Sequence, residues 1–167
     1  GFEYNVNKLP SVNLGFNVED LLMVGIGFTR RVYGFRKEPY ASYQRLTTLY
    51  AVNRSAYRVR YTGEFNESLG KSDLLIDAQL VEPVLNNFFG LGNERELVFD
   101  RDFYRVRYKF AAADVFLRKR YNNLLHLSIG PSVYHYWNRQ ENNKGRILQS
   151  PSLIGLDSMS VDSAKTY

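Results

Sequence analysis

The two glycines in the stretch NNFFGLGNERE are the nearest approach in this sequence to a phosphate-binding loop. Gly90 and Gly92 lie two residues apart, but a G-x-G-x-x-G loop needs a third glycine at the position of Arg95. Such a loop also opens a helix, whose N-terminal amides bind the phosphate, whereas residues 97–110 alternate like a strand. We therefore interpret both glycines as turn residues that permit positive φ angles.

Other residues that could catalyse a reaction or bind a metal have unfavourable spacing. His126 and His135 fall on opposite faces of the strand predicted around them, so they do not suit a metal ion. Asp100 and Asp102 flank an arginine in a predicted loop, which is typical of a solvated charge cluster rather than an acid–base pair. The serines after Gln149 lack the Gly-x-Ser-x-Gly turn of hydrolases. The sequence thus predicts no enzyme activity, no cofactor and no metal site.

Arginine recurs at alternate positions in two segments, at residues 58/60 and 105/107. In an open pore such rows could select anionic solutes, which is the passive-pore hypothesis. A second interpretation pairs the arginines with carboxylates on neighbouring strands, Asp77 and Glu64 among them. Both interpretations require the segments to be β-strands.

Composition excludes several classes of protein. The chain has no cysteine, which removes disulfides, thiolate zinc sites and cysteine catalysis. Its net charge of +5 comes from singly spaced arginines and does not indicate nucleic-acid binding. No apolar run reaches the roughly 18 residues of a transmembrane helix, and the first residues do not resemble a signal peptide. We expect one domain, beginning within a longer protein.

Apolar and polar residues alternate with a period of two along most of the chain, which predicts an all-β fold. One predicted strand changes phase near Ala113, which suggests a β-bulge. Residues 1–137 form the predicted sheet, and the polar residues 138–167 form an extracellular loop or an unanchored tail. About seven strands, joined as successive hairpins, are predicted near residues 11–17, 21–34, 42–52, 57–65, 73–82, 104–117 and 124–137.

Two kinds of antiparallel up-and-down barrel fit this alternation. In a transmembrane barrel the apolar face contacts lipid, whereas in a soluble lipocalin-like carrier it lines a cavity for a hydrophobic ligand. Numbered in chain order, the even connections are short and the longest connections are odd, as in outer-membrane barrels. Aromatic residues near the predicted strand ends resemble interfacial girdles, which also favours the membrane.

The transmembrane interpretation assigns each face of the sheet. The residues predicted to face lipid are Leu22, Val24, Ile26, Val59, Ile76, Val106 and Leu127. The polar residues predicted to face the lumen are Arg45, Arg58, Arg60, Asp77, Arg105 and Arg107. Since seven hairpin-linked strands leave two unpaired edges and single-chain bacterial barrels have even strand numbers, we expect a part of a larger barrel.

The order of several short segments carries a family resemblance. LGFNVEDLLMVGIGF, YGFRKEPYA, YTGEFNESLGKSDLLIDA, NNFFGLGNE, DFYRVRY and LHLSIGPSVYHY resemble the N-terminal half of the barrel of the BamA/TamA outer-membrane assembly-factor superfamily, in its bacterial surface-antigen-like form. The resemblance spans residues 10–137. It implies a 16-stranded barrel in the outer membrane of a Gram-negative bacterium. Its implied partners are outer-membrane lipids, unfolded outer-membrane client proteins and the remaining strands of the same barrel.

The resemblance also implies a role for the first strand. In such barrels the first strand pairs weakly with the last, and a client hairpin can add to the exposed edge at this lateral gate. By position, the backbone of Val12, Asn13, Leu14 and Gly15 would form that edge. The Arg-Gly-Phe loop motif of the superfamily belongs to the later half of the barrel. The resemblance therefore implies either insertion and translocation of outer-membrane proteins or the anchoring of a fused periplasmic domain.

Overall fold

The computed structural model of the chain describes nine β-strands and one short 3-10 helix, Ile147–Gln149. It describes residues 6–17, 21–35, 37–52, 56–87, 100, 102–121, 125–138, 143–150 and 164–166. Gly90 and Gly92 therefore lie outside the described residues. Among the described residues, no helix is long and apolar enough to span a membrane. The strands are β1 Val6–Asn17, β2 Leu21–Gly34, β3 Lys37–Ala51, β4 Ala56–Leu69, β5 Ser72–Asn87, β6 Arg105–Tyr121, β7 Leu125–Ile129, β8 Ser132–Trp137 and β9 Ala164–Thr166.

All nine strands belong to one sheet, in the order β1-β2-β3-β4-β5-β6-β8-β9, with β7 also paired to β6. Each of the first six strands lies beside its neighbour in sequence, so the sheet is an up-and-down meander. The predicted all-β, antiparallel fold is confirmed. Over the part of the chain that the structure describes, pairing does not close the sheet, because β1 and β9 are the two ends of the path.

The connections between consecutive strands differ in length. Two residues separate β2 from β3 and two separate β4 from β5, whereas residues 88–104 separate β5 from β6. We call the end of the strands that carries the second, fourth and sixth connections the even end. Lys8 of β1, Arg30 of β2 and Arg120 of β6 lie towards this end.

The predicted seventh strand is divided into β7 and β8 at Gly130 and Pro131. Pro131 has no N–H group to donate to a ladder. Its carbonyl oxygen instead accepts a hydrogen bond from the Val115 amide at 3.1 Å. A Cβ atom built on Gly130 would lie 1.8 Å from the Val115 carbonyl oxygen, so only glycine permits this close approach.

The β2–β3 ladder is held by a side chain at its centre. The Thr48 hydroxyl accepts a hydrogen bond from the Ile26 amide at 3.1 Å and donates one to the Ile26 carbonyl at 2.7 Å. A Cβ atom on the preceding residue, Gly25, would lie 1.8 Å from the Thr48 carbonyl oxygen. Glycine is therefore required where β3 crosses β2 this closely.

Contacts divide the chain into two compact units. The first comprises residues 1–80 and 111–133, and the second comprises residues 81–110 and 134–167. The first unit has a small buried cluster of Met23, Ala51 and Ala56, against which Leu49 packs. The second is centred on a buried cluster of Tyr104, Val106 and Ile147.

Residues 143–150 are anchored to the second unit. The Asn143 side chain accepts a hydrogen bond from the Arg107 amide at 2.8 Å and donates one to the Arg107 carbonyl at 2.7 Å, as a paired strand would. The Ile147 amide donates to the Phe103 carbonyl at 2.9 Å. Burial and the nearby Arg107 guanidinium lower the pKa of Arg146. Residues 143–150 are therefore held against β6 by these hydrogen bonds, and residues 164–166 form β9, which pairs with β8.

Candidate membrane-facing surface, polar face and edge strand

One face of the sheet in the first unit exposes large apolar side chains on several strands. Val12 is 79% exposed, Ile26 72% and Leu127 58%, although each lies inside a strand. Soluble monomeric proteins rarely expose a continuous apolar surface of this kind, and such surfaces mark contacts with a membrane or a partner. The other exposed members on β1, β2, β3, β6 and β7 are Leu14, Phe16, Leu22, Val24, Phe28, Leu46, Tyr50, Val115, Leu117, Leu125 and Ile129.

The strand registers arrange these side chains in rows across β1 to β4, and we call the surface that they form the apolar face. The first row is Pro10, Phe28, Leu46 and Tyr61. The second is Val12, Ile26, Thr48 and Val59. The third is Leu14, Val24, Tyr50 and Tyr57, and the fourth begins with Phe16 and Leu22. From Pro10 to Phe16 the rows extend about 20 Å along the strand at ~3.3 Å per residue, which at the ~35–45° strand tilt of outer-membrane barrels spans about 15 Å of their ~25 Å apolar height.

The opposite face, which we call the polar face, carries small and charged residues. Ser11 of β1 lies opposite Gly27 of β2, and Thr47 of β3 lies opposite Arg60 of β4. A groove of about 280 Å³ opens on this face. It is lined by Arg45, Thr47, Leu49, Arg58, Arg60 and Thr62.

The seven residues predicted to face lipid do not share one environment. Leu22, Val24, Ile26 and Leu127 are exposed on the apolar face. Val59 and Ile76 are half-buried. Val106 differs from all of them, because it is 8% exposed and packs against Ile147 in the second unit.

Burial along β6 places Val106 in phase with Arg118 rather than with Leu117. The two buried residues of β6, Val106 and Ala112, and the half-buried residues from Asp114 to Arg118 all lie at even-numbered positions. Along the described length of β6, burial therefore shows no change of phase at Ala113. The expectation that Val106 shares a surface with Leu117 rested on that change of phase. The covering residue, Ile147, lies 41 positions further along the chain and has no periodic relation to β6.

Arg60 forms the expected cross-strand ion pair on the polar face. Its guanidinium donates to Asp77 at 3.0 and 3.2 Å, and the Thr62 hydroxyl also donates to Asp77 at 3.2 Å. Arg45 and Arg58 are exposed and form no ion pair or hydrogen bond within the described part of the chain. The groove therefore holds three guanidinium groups and borders one carboxylate.

The second pair of predicted lumen arginines, Arg105 and Arg107, belongs to the second unit. Arg105 pairs with Asp102 at 3.2 Å, and its carbonyl accepts a hydrogen bond from Arg146 at 2.6 Å. The backbone of Arg107 is held by Asn143. The two arginine rows therefore have different surroundings, and the groove on the polar face contains only the row from β4.

An ionic network at the even end of the polar face joins three strands. Asp73 of β5, whose side chain is 4% exposed, accepts hydrogen bonds from Arg118 and Arg120 of β6 at 3.0 and 2.8 Å. Arg118 also pairs with Glu64 of β4, which accepts a hydrogen bond from the Tyr40 hydroxyl at 2.6 Å. The network ties β4 to β6 across β5.

The sequence did not predict this network, because the alternation ended the predicted strand at residue 117 and left residues 118–123, RKRYNN, as a turn. β6 instead continues to Tyr121, so Arg118 and Arg120 lie at alternate positions of a strand. Their Arg-x-Arg spacing is the same as that of Arg58 and Arg60. This spacing could have predicted that the strand continues through Arg120. Asn66 completes the network, since its side chain accepts from Arg120 at 2.7 Å and donates to the Tyr40 carbonyl at 2.7 Å.

The first strand is an edge of the sheet. β1 pairs with β2 from Val6 opposite Val32 to Asn17 opposite Leu21, and it has no second neighbour among the described strands. All four candidate lateral-gate residues lie within it. Val12 and Leu14 point to the apolar face, whereas Asn13 and Gly15 are half-buried.

The described residues contain no group of His, Asp or Glu that could hold a metal ion. No protein-family model, no curated protein and no solved structure matches this chain.

Proposed function

We propose that this chain is a segment of a transmembrane β-barrel in the outer membrane of a Gram-negative bacterium, within the BamA/TamA superfamily. The observation that carries this proposal is the apolar face, whose rows stay exposed across consecutive strands. Burying one large apolar side chain stabilises a protein by about 1.5–3 kcal/mol. In a membrane, lipid chains cover these side chains. A soluble carrier would instead enclose them around its ligand.

Strand length supports the same proposal. A transmembrane β-strand needs about 9–11 residues. β1, β2, β3 and β4 have 12, 14, 15 and 14 residues, so each is long enough to cross the bilayer. β2, β3 and β4 pair with a neighbouring strand on each side, as the absence of water in the bilayer core requires, whereas β1 pairs on one side only.

The edge of β1 supports a role in the insertion or translocation of outer-membrane proteins. An exposed strand edge presents unpaired N–H and C=O groups on which another strand can pair. In this proposal the backbone of Val12 to Gly15 pairs weakly with the last strand of the complete barrel and opens to client hairpins. The alternative role within the same family, anchoring a fused periplasmic domain, requires a β1 edge that stays sealed.

Single-cysteine labelling tests the membrane proposal, because the chain has no natural cysteine. An environment-sensitive fluorophore is placed in the full chain at Val12 or Ile26 on the apolar face, and at Ser11 or Thr47 on the polar face. After folding into vesicles, brominated lipids should quench the first pair strongly and the second pair weakly. Equal quenching on both faces, or protection of Ile26 from lipid, would overturn the proposal, and the second result would favour the carrier.

A passive pore is the second candidate function, and the uncompensated charge of Arg45 and Arg58 favours it. If the polar face lines an open lumen, these guanidinium groups attract anions. Planar-bilayer recordings of the full chain should then show selectivity for chloride over potassium, and the double variant R45Q/R58Q should reduce it. No conductance, or a selectivity that R45Q/R58Q leaves unchanged, would contradict the pore.

A further inference from the structure

A basic row borders the apolar face at its even end. Lys8 of β1 lies directly opposite Arg30 of β2. Lys8 precedes Pro10 by two positions, and Arg30 follows Phe28 by two positions. Both side chains therefore project from the apolar face. The same row continues with Gln44 on β3.

The two cations of this row have no compensating charge. Like charges opposite each other on adjacent strands destabilise a sheet. Neither Lys8 nor Arg30 forms an ion pair or hydrogen bond within the described ranges, and the Arg30 Nε atom is buried without a partner. The next row towards the even end contains Val32, Ser42 and Phe65, none of them acidic.

Lys119 adds a third cation at the even end of the same face. Its neighbours Arg118 and Arg120 both contact Asp73 on the polar face. Because successive side chains of a strand alternate, Lys119 projects from the apolar face. It is exposed, and its Nζ atom lies 5.1 Å from the centre of the Tyr121 ring.

We propose that Lys8 and Arg30 bind the phosphate group of an anionic phospholipid, with Lys119 contributing at the same membrane level. A guanidinium group donates two parallel hydrogen bonds to a phosphate, and the lysine ammonium adds a point charge. Acyl chains below that phosphate would lie along the rows that begin at Pro10 and Phe28. This inference rests on the proposed membrane location. It adds the class of lipid that is bound and places the even end of the strands at the level of the lipid phosphate groups.

The test measures lipid binding to the full chain in non-ionic detergent by native mass spectrometry. We expect tighter binding of phosphatidylglycerol than of phosphatidylcholine. The double variant K8Q/R30Q should weaken phosphatidylglycerol binding by about fivefold for each charge removed. R30K, which keeps the charge, should retain most of the binding. The matched control R45Q/R58Q removes two charges from the polar face and should leave binding unchanged.

Several outcomes would overturn this inference. They are equal affinity for the two lipids, equal losses in K8Q/R30Q and R45Q/R58Q, and displacement of the lipid by comparable concentrations of inorganic phosphate. The fluorophore at Ile26 separates this failure from failure of the proposed function. If that label is quenched by lipid but no preference for phosphatidylglycerol exists, the membrane location stands and only the phosphate site is lost.

Discussion

Replacing Asp73 by asparagine removes the negative charge that Arg118 and Arg120 share. The carboxylate is 4% exposed and accepts hydrogen bonds from both guanidinium groups and from the Glu67 amide at 3.0 Å. Asparagine keeps one oxygen for the Glu67 amide, but its NH₂ group replaces the oxygen that accepts from both guanidinium groups, so both charge-assisted hydrogen bonds are lost. Arg118 keeps its ion pair with Glu64, and Arg120 is partly exposed. The loss of unfolding free energy is therefore smaller than when a buried charge is left with no partner.

From these contacts we expect D73N to lower the free energy of unfolding by about 2–4 kcal/mol. The matched control is D77N, which also removes a carboxylate paired with an arginine on the polar face. There the Arg60 side chain is 59% exposed and that of Asp77 is 29% exposed. Exposed pairs contribute about 0–1 kcal/mol, so D77N should be nearly neutral.

Urea unfolding of the full chain in detergent micelles, followed by far-UV circular dichroism, measures both variants. A difference of less than about 1 kcal/mol between D73N and D77N would refute the reasoning, because both variants remove one carboxylate charge but Asp73 is buried between two arginines and Asp77 is more exposed beside one. A double-mutant cycle of D73N with R118Q provides a second check. A coupling energy of about 1–3 kcal/mol is expected for groups in direct contact, and a coupling near zero would contradict the network.

The remaining predictions concern single positions in the two units. G25A should destabilise the first unit by about 1–3 kcal/mol, since its Cβ would lie 1.8 Å from the Thr48 carbonyl, whereas G15A, with a nearest contact of 3.7 Å, should be nearly neutral in the same urea assay. Equal effects would contradict the close crossing of β2 and β3. N143A should leave the Arg107 amide and carbonyl unpaired at a cost of about 1–3 kcal/mol. Limited proteolysis should then cut residues 143–150 faster, and unchanged cleavage would argue against the anchoring.

The strands of this protein follow from local pattern. β2 has the bounds that alternation predicted, and β4 and β5 extend their predicted segments at both ends. The ends were less predictable, because Pro10 and Pro39 interrupt the apolar pattern at the start of β1 and β3 without ending either strand. Ladder hydrogen bonds to a neighbouring strand extend pairing beyond the residues whose side chains alternate.

The candidate surfaces were predictable to different degrees. The faces of β1 and β2 were predicted from sequence because two-residue periodicity sets both sides of a strand at once. The ion pair of Arg60 with Asp77 was anticipated as one interpretation. The network around Asp73 was not, since it requires the relative register of β4, β5 and β6, and register depends on contacts between distant segments.

What the sequence by itself determined is therefore the period of the chain, the all-β fold and the division of most strands into an apolar and a polar side. Only the tertiary structure decided which side chains meet. Ile147 covers Val106 although nothing in the spacing of the two residues relates them. Lys8 lies opposite Arg30, and Asp73 forms ion pairs with two arginines of β6, because the pairing of strands brings together residues that are far apart in sequence. Alternation is a local property of the backbone. The charges that a residue contacts and the side chains that bury it are set by its neighbours in space.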